Sequence, residues 1–380
     1  MRILVLNYEF PPLGGGGGQI AADFCRYLAS FGHEVQVQTS SHPSLSRLEV
    51  RDGYTIIRSF ALRRRLHTCT VPEMAFYLIL TLVPTLKHVY AFKPDVIHVH
   101  FAVPTGVIAW IIHRLTGIPY VLSVYLGDVP GGVPEQTDHL FRWIKPLTIP
   151  IWKAAAAIIV PATHIQSLAW QHYKVPAEII PNGLDYVPAG VLPHVPSAPF
   201  RLVFAGRLSI QKNPLSLLES LSQVNHLPWR LDIFGDGPLM AAAQNLATQL
   251  GLDSKVFFHG WITSQQVQTF MKKSDILVLP SLSEGLPVVG MQALAAGLAI
   301  IGSDVGGIRD LVQSGKNGFL VPVNDKSAFA AQLNSMLDPE VLFAMKRTSL
   351  QLAANFDLAT LARRLENILQ MNSMASPKNN

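Results

Sequence analysis

Short apolar runs alternate with helix-length amphipathic stretches along the first half of the chain. Six of these runs have the length and composition of buried strands: RILVLN, EVQVQTS, TIIRSF, DVIHVH, YVLSVY and AIIVPA. Strands that alternate with helices are typical of a parallel sheet covered by helices on both faces. The pattern therefore predicts a doubly wound, Rossmann-like α/β domain over residues 1–185.

The alternation stops at residues 186–199, a stretch with four prolines and no Asp, Glu, Lys or Arg. We interpret it as a linker. A second series of strand-like runs then predicts a second Rossmann-like domain over 200–355: RLVFAG, RLDIFG, KVFFHG, DILVLP, LAIIGS and GFLVPV. A last amphipathic helix over 356–372 is expected to pack back toward the first domain, and residues 373–380 to form a flexible tail.

Ligands of doubly wound sheets bind beyond the carboxyl ends of the strands. Two such domains facing one another would therefore place a site in a cleft between them. The residues that follow each strand are the candidates for function.

Only 14% of the 380 residues are charged, which raises the question of a membrane span. The uncharged stretch 285–303 is rich in glycine, and the apolar segment 74–86 is short and interrupted by Pro84, so we expect neither to span. Basic residues exceed acidic ones by 30 to 25 without a clustered stripe, so no nucleic-acid partner is expected. The two cysteines and the absence of a signal-peptide pattern favour a reducing, cytoplasmic location.

The first strand is followed by PPLGGGGGQ and then by a helical stretch. Glycines there let backbone N–H groups approach an anion, and a helix N-terminus adds partial positive charge, so a phosphate-binding loop is one interpretation. A flexible turn is the alternative. A dinucleotide site is disfavoured, because the second strand ends without an acidic residue for a ribose.

His98 and His100 point to the same face of their strand, and His100 lies at its carboxyl end. The pair could bind a metal, but no cysteine or Asp-x-Asp motif completes a site. We therefore expect His98 to be structural and His100 to reach the cleft. Asp128 follows the next strand among glycines, either as a ligand-binding residue or as a turn-forming aspartate.

The second domain begins with LVFAGRLSIQKNP, in which Arg207 and Lys212 follow a strand. Two cations at this spacing suit a diphosphate. Glu284 is the only charged residue between Asp275 and Asp304, and it follows a strand and precedes a helix. A buried carboxylate in that place indicates a function, although helix capping is an alternative.

Eight motifs, in order along the chain, resemble those of the retaining glycosyltransferases of family 4, which have the GT-B fold. They are PPLGG with GHEV, DVIHVH, LGDVPG, IPNGLD, AGRLSIQKNP, FGDGP, PSLSEGLP and SDVGGIRDLV. The resemblance implies two Rossmann-like domains facing across a cleft. It also implies a nucleotide-diphospho-sugar donor, a glycan or lipid-linked acceptor, retention at the anomeric carbon, and no metal or other cofactor.

The resemblance also assigns roles to residues. Arg207 and Lys212 would neutralise the leaving diphosphate, His100 would contact the transferred sugar, and Glu284 would bind its hydroxyls. Asp128 is a candidate for acceptor binding. The full donor set that it implies is Gly15, Gly16, Arg207, Lys212, Gly235, Gly260, Trp261, Ile262, Glu284, Gly285, Leu286 and Gln292.

Gln292 departs from the family pattern, which has a second glutamate that usually binds the ribose hydroxyls. Glutamine keeps a hydrogen-bond acceptor but loses the charge, which weakens such a bond by roughly 1 kcal/mol. We expect an active transferase. The alternatives are a catalytically silent relative that only binds a partner, and an epimerase or hydrolase of the same fold.

Arg63, Arg64 and Arg65 precede the apolar segment 74–86. This arrangement has two interpretations: a core helix with an ordinary basic flank, or peripheral contact with an anionic membrane surface. The second would place the chain at the inner face of the cytoplasmic membrane.

Overall fold

The computed structural model describes residues 1–63, 66, 69–185, 190 and 192–374. The chain forms two compact units, Met1–Gly183 with Leu358–Asn380, and Leu184–Asp357. Each unit has its own parallel sheet and core. Residues 186–189 and 191 of the predicted linker and residues 375–380 of the predicted tail lie outside the described residues.

The first unit contains an eight-stranded sheet of order β3-β4-β2-β1-β5-β6-β7-β8, in which only the β3–β4 pairing is antiparallel. Its strands are β1 (Arg2–Leu6), β2 (Glu34–Ser40), β3 (Leu48–Arg51), β4 (Tyr54–Ser59), β5 (Val96–His100), β6 (Tyr120–Ser123), β7 (Ala157–Val160) and β8 (Glu178–Ile179). Its helices are α1 (Gly16–Ser30), α2 (Val71–Phe92), α3 (Thr105–Thr116), α4 (Pro134–Ala154), α5 (Thr163–Tyr173) and α12 (Leu358–Met374).

The second unit contains a six-stranded, all-parallel sheet of order β11-β10-β9-β12-β13-β14. Its strands are β9 (Phe200–Ala205), β10 (Trp229–Phe234), β11 (Val256–Phe258), β12 (Ile276–Leu279), β13 (Ala299–Ser303) and β14 (Gly318–Val321). Its helices are α6 (Pro214–Ser222), α7 (Met240–Gln249), α8 (Ser264–Met271), α9 (Val288–Ala295), α10 (Lys326–Met336) and α11 (Pro339–Ala353).

Both sheets reverse direction in the doubly wound manner, so the prediction of two Rossmann-like domains is confirmed. The second sheet has the order 3-2-1-4-5-6 when its strands are numbered from β9. In each core the strands contribute buried aliphatic and aromatic side chains, as the continuous apolar runs predict. The C-terminal helix α12 packs on α1 and β5 within the first unit.

Two local features differ from the sequence prediction. The pattern missed β3, an edge strand with exposed Leu48 and Val50, because an edge strand lacks the buried face that periodicity detects. The apolar segment 74–86 is helical, but its length was underestimated, because it belongs to the 22-residue helix α2.

Helix α2 begins at a capping box, in which the Thr70 side chain accepts from Glu73 N–H and the Glu73 side chain accepts from Thr70 N–H. It continues through Pro84, which lies on the exposed side, where the missing N–H leaves a carbonyl free to bind water. Among the described residues it is the one helix that is long and apolar enough to cross a membrane by length and composition.

Candidate functional site

The strand order of the second unit brings two distant loops together. β9 pairs with β10 on one side and with β12 on the other, so the strand order reverses at β9. The carboxyl ends of strands at such a reversal are the usual ligand site of a doubly wound sheet. Arg207 and Lys212 follow β9, and Glu284 follows β12.

Lys212 and Glu284 form an ion pair across this point, with Nζ 2.5 Å from Oε1. Ser281 Oγ donates to the same Glu284 oxygen at 2.6 Å. Glu284 is buried, whereas the Lys212 side chain is 23% exposed and can be reached by an anion. Glu284 thus has a counterion from a loop 72 residues earlier, a contact that the sequence analysis did not predict.

Arg207 lies on the same loop as Lys212 and is exposed. No carboxylate of the described residues forms an ion pair with it, in contrast to Lys212. The end of β9 therefore presents one unpaired guanidinium and one partly exposed ammonium. This arrangement can bind a diphosphate without further rearrangement of the backbone.

Glycines hold the loops of this site by close backbone contact. A Cβ atom on Gly307 would lie 1.6 Å from Gly285 O, and the Gly307 N–H donates to Glu284 O at 3.1 Å. Gly235, with φ +133°, would place a Cβ 2.0 Å from Gly206 O. Side chains at either position would displace the loop that carries Glu284 or Lys212. Sequence reasoning missed Ser281 and Gly307, although SDVGG showed paired glycines.

The other predicted donor residues of this unit lie on neighbouring elements. Gln292 lies in α9, and its Nε2 donates to Ser264 Oγ at 3.2 Å. Trp261 is 76% exposed, so it is not a core residue. With Gly260 and half-buried Ile262 it belongs to the loop after β11, which lies two strands from β9. Leu286 is buried beside Glu284 and Gly285.

In the first unit the glycine loop is closed by a carboxylate that the sequence analysis did not single out. Gly15 N–H donates to Glu9 Oε2 at 3.3 Å, and helix α1 begins at Gly16. Because Glu9 occupies the Gly15 N–H, a phosphate can bind this group only if the Glu9 side chain moves away. The predicted contacts of Gly15 and Gly16 with phosphate stay predictions.

The Arg63 side chain also lies close to Glu9, the carboxylate that binds the glycine loop. Its side chain is 2% exposed, donates to Tyr8 O at 3.2 Å and to Leu66 O at 3.3 Å, and lies 3.8 Å from Glu9 Oε1. A buried arginine bound to backbone carbonyls cannot contact lipid headgroups, so the proposed membrane role of Arg63 was wrong. Arg64 and Arg65 lie outside the described residues.

His100 is fully buried at the end of β5. Its Nδ1 lies 2.8 Å from the hydroxyl of Tyr125, the two rings stack, and its Nε2 is buried without a partner among the described residues. Burial, with His98 nearby, holds the pKa of His100 well below its usual range, so the ring is neutral. A neutral ring that accepts the Tyr125 proton at Nδ1 carries its own proton on Nε2.

His98 and His100 line a cavity of about 20 Å³, which has room for one water molecule. His98 is structural in this arrangement, because its Nε2 lies 2.8 Å from Ser123 Oγ. His100 does not reach an open surface here, and its contact with a sugar stays a prediction. Tyr125, which is only partly buried, is the neighbour that sequence reasoning missed.

Asp128 ties loops together. Its Oδ1 accepts the Ala102 N–H at 2.8 Å and its Oδ2 accepts the Tyr125 N–H at 2.8 Å. Burial raises its pKa to about 7, although the backbone N–H groups favour the ionised form. Both carboxylate oxygens thus accept backbone N–H groups, as those of a turn-forming aspartate do. A role of Asp128 in acceptor binding stays a prediction.

Asp128→Ala is expected to destabilise the first unit by about 2–4 kcal/mol, because it leaves two buried backbone N–H groups without acceptors. Urea unfolding followed by circular dichroism measures this loss. A variant of unchanged stability with a raised KM for the acceptor would instead support acceptor binding.

The described residues contain no group of three or more His, Cys, Asp or Glu side chains suited to a metal ion.

Comparisons with known proteins cover both units. Residues 14–186 match the model of Glycosyltransferase Family 4, and residues 194–353 match that of Glycosyl transferases group 1. A UDP-Gal:alpha-D-GlcNAc-diphosphoundecaprenol alpha-1,3-galactosyltransferase from Escherichia coli is 30% identical over 278 residues, which is 67% of this chain and 69% of that protein.

Two solved structures share the fold. A sucrose-phosphate synthase from Thermosynechococcus elongatus has a TM-score of 0.82 at 19% identity and covers 99% of this chain and 100% of its own. An Anabaena protein solved in complex with UDP and glucose has a TM-score of 0.75 at 17% identity, covering 98% of this chain and 100% of its own.

Proposed function

The chain belongs to glycosyltransferase family 4, and on that premise we propose that it moves a sugar from a nucleotide-diphospho-sugar to a glycan or lipid-linked acceptor. Transfer proceeds with retention of the anomeric configuration and without a metal ion. Retention rests on family membership, because no contact of the described residues bears on stereochemistry.

The observation that carries the proposal is the Lys212–Glu284 pair beside Arg207 at the strand reversal of the second sheet. A diphosphate that enters this site meets the Arg207 guanidinium and draws the Lys212 ammonium toward itself. The two cations stabilise the charge that develops on the leaving diphosphate, which is the role of a metal ion in other transferases.

Release of Lys212 frees one Glu284 oxygen to accept hydroxyl groups of the sugar. Ser281 keeps donating to the carboxylate and so holds its orientation. Before the donor binds, the ion pair therefore gives each side chain a partner of opposite charge. When the donor binds, Lys212 and Glu284 each exchange that partner for a group of the donor.

The E. coli relative acts, by its name, with UDP-Gal on a diphosphoundecaprenol-linked acceptor, and the Anabaena structure contains UDP. These names support a UDP-sugar as the first donor to test. We also propose that the chain works in the cytoplasm at the inner face of the membrane, where a lipid-linked acceptor would be presented.

Thermal unfolding with UDP, GDP and ADP, and then with their sugars, tests the proposal. The true nucleotide at a concentration of 100 Kd stabilises the fold by about 2.7 kcal/mol, and the others do not. Lys212→Met is the matched control and should lose about half or more of this stabilisation at the same concentration. If no nucleotide stabilises the wild type, the result supports the catalytically silent relative. Release of free sugar from the donor without an acceptor supports the hydrolase.

A further inference from the structure

Helix α2 exposes an apolar face. Every exposed position from Val71 to Pro84 is apolar, and Phe76, Ile79 and Val83 are 46%, 68% and 58% exposed. The buried side, in contrast, includes Thr81 and Thr85, both fully buried. A helix on a water-facing surface normally has the opposite distribution. An exposed apolar face of this length marks a surface that contacts something other than water.

Helix α4 also carries exposed apolar residues. α3 packs against both α2 and α4. On α4, Trp143 is 81% exposed and Leu147, one turn later, is 75% exposed. Tryptophan is enriched where a membrane meets water, because its ring is apolar while its N–H can bind headgroups or water.

Among the described side chains of α2 and α4, the exposed charged ones are basic. Lys87 and Lys93 lie exposed at the C-terminal end of α2, and Arg142 and Lys153 lie exposed on α4. The acidic side chain of α2, Glu73, is held in the capping box by Thr70. A basic rim around an apolar face is complementary to an anionic bilayer surface. It also disfavours a symmetric contact with a second copy, which would bring lysines together.

We propose that the outward faces of α2 and α4 form a docking surface for an anionic lipid bilayer, into whose interface Phe76, Ile79, Val83 and Trp143 insert. This inference rests on the proposed function in one respect, since a lipid-linked acceptor must be reached at a bilayer. The surface does not use Arg63. The buried face of α2 packs on α3 and β4, so the helix presents only one side to lipid.

The test is co-sedimentation of the full chain with vesicles of phosphatidylcholine alone or with one quarter phosphatidylglycerol. The wild type binds the anionic vesicles. Ile79→Ser with Val83→Ser lowers the partition coefficient at least about tenfold, because two apolar side chains no longer insert. Lys87→Gln with Lys93→Gln lowers binding to anionic vesicles about 10–30-fold and leaves binding to neutral vesicles unchanged.

The matched control is Leu48→Ser with Val50→Ser on the edge strand β3, where the two side chains are 64% and 74% exposed. This variant loses similar exposed apolar area and should bind vesicles as the wild type does. UDP binding, measured by calorimetry, should be equal in all variants, since none of these residues lies in the donor site. A wild type that binds none of UDP, GDP and ADP contradicts the proposed function but not the docking surface.

Three outcomes overturn the docking surface. They are a wild type that stays in the supernatant with both vesicle types, a variant at Ile79 and Val83 that binds as tightly as wild type, and a control variant that loses binding equally. A further result would assign the face to a second copy of the chain instead. In that case the wild type is a dimer in analytical ultracentrifugation and does not bind vesicles, and Ile79→Ser with Val83→Ser dissociates the dimer.

Discussion

Glu284→Gln is expected to lower kcat for sugar transfer about 100-fold while leaving the affinity for the free nucleoside diphosphate within about threefold. In the proposed reaction the ionised Glu284 carboxylate accepts the sugar hydroxyls. Such a hydrogen bond is stronger than the neutral bond to an amide, most of all in the transition state. Steady-state kinetics with the donor found by thermal unfolding, together with calorimetry of the diphosphate, measure the two quantities.

The asymmetry between these two quantities follows from the ion pair. In the free protein Lys212 Nζ is 2.5 Å from Glu284, so the substitution releases the ammonium rather than removing it from the diphosphate site. Lys212→Met should instead weaken diphosphate affinity at least about tenfold and also lower kcat, since the ammonium stabilises the leaving diphosphate as well. Ser281→Ala, which removes one hydrogen bond to Glu284, should lower kcat less than Glu284→Gln does. Equal losses of diphosphate affinity and kcat in Glu284→Gln would mean that Glu284 only positions Lys212.

Asp275→Asn is expected to destabilise the second unit by about 3–5 kcal/mol, because it leaves a buried lysine without its counter-charge. Lys346 Nζ lies 2.7 Å from Asp275 Oδ1 and 2.9 Å from Ser274 O, and neither Lys346 nor Asp275 is exposed by more than 1%. Equilibrium urea unfolding measures the loss. Lys346→Met in the same chain should restore much of it, since the double variant has no buried charge without a counter-charge.

The stability of Asp275→Asn should also change with pH in a defined direction. Burial lowers the pKa of Lys346, so above its folded-state pKa the unfolded chain binds more protons than the folded one. The stability of Asp275→Asn should therefore rise as the pH is raised toward the pKa of a free lysine, near 10.4.

The control for the loss of stability in Asp275→Asn is Lys326→Ala, which breaks an exposed ion pair. Lys326 and Glu219 side chains are each 39% exposed, so this variant should change stability by less than about 1 kcal/mol. A comparable loss in that variant would contradict the explanation by burial.

The chain's apolar periodicity was sufficient to predict all six strands of the second sheet and the doubly wound class of both units. Buried parallel strands must be apolar on both faces, so each run of such residues is a direct consequence of its place in the fold. The edge strand β3 and the full length of α2 were missed for the same reason. Neither is defined by a buried apolar pattern, since β3 lies at an edge and α2 directs much of its apolar surface outward.

The candidate site was predictable in its residue types but not in its contacts. Arg207, Lys212 and Glu284 stand out in the sequence because cations and a carboxylate follow strands in an otherwise apolar chain. The pairing of Lys212 with Glu284 follows from the adjacency of β9 and β12, which strand order alone decides. The burial of Arg63 in a loop and of His100 at a strand end was not predictable either, because the sequence carries no information about which carbonyl or hydroxyl each side chain contacts.

The sequence by itself determined the fold class, the family and the residue types of the candidate diphosphate site. These properties depend on local pattern and on motifs whose spacing is fixed along the chain. The tertiary structure decided which charges neutralise one another, which are free, and which apolar residues stay in contact with water. Those outcomes depend on neighbours that are distant in sequence: Glu284 receives its counterion from across the sheet, while Arg63 is withdrawn from solvent and α2 is left with an uncovered apolar face.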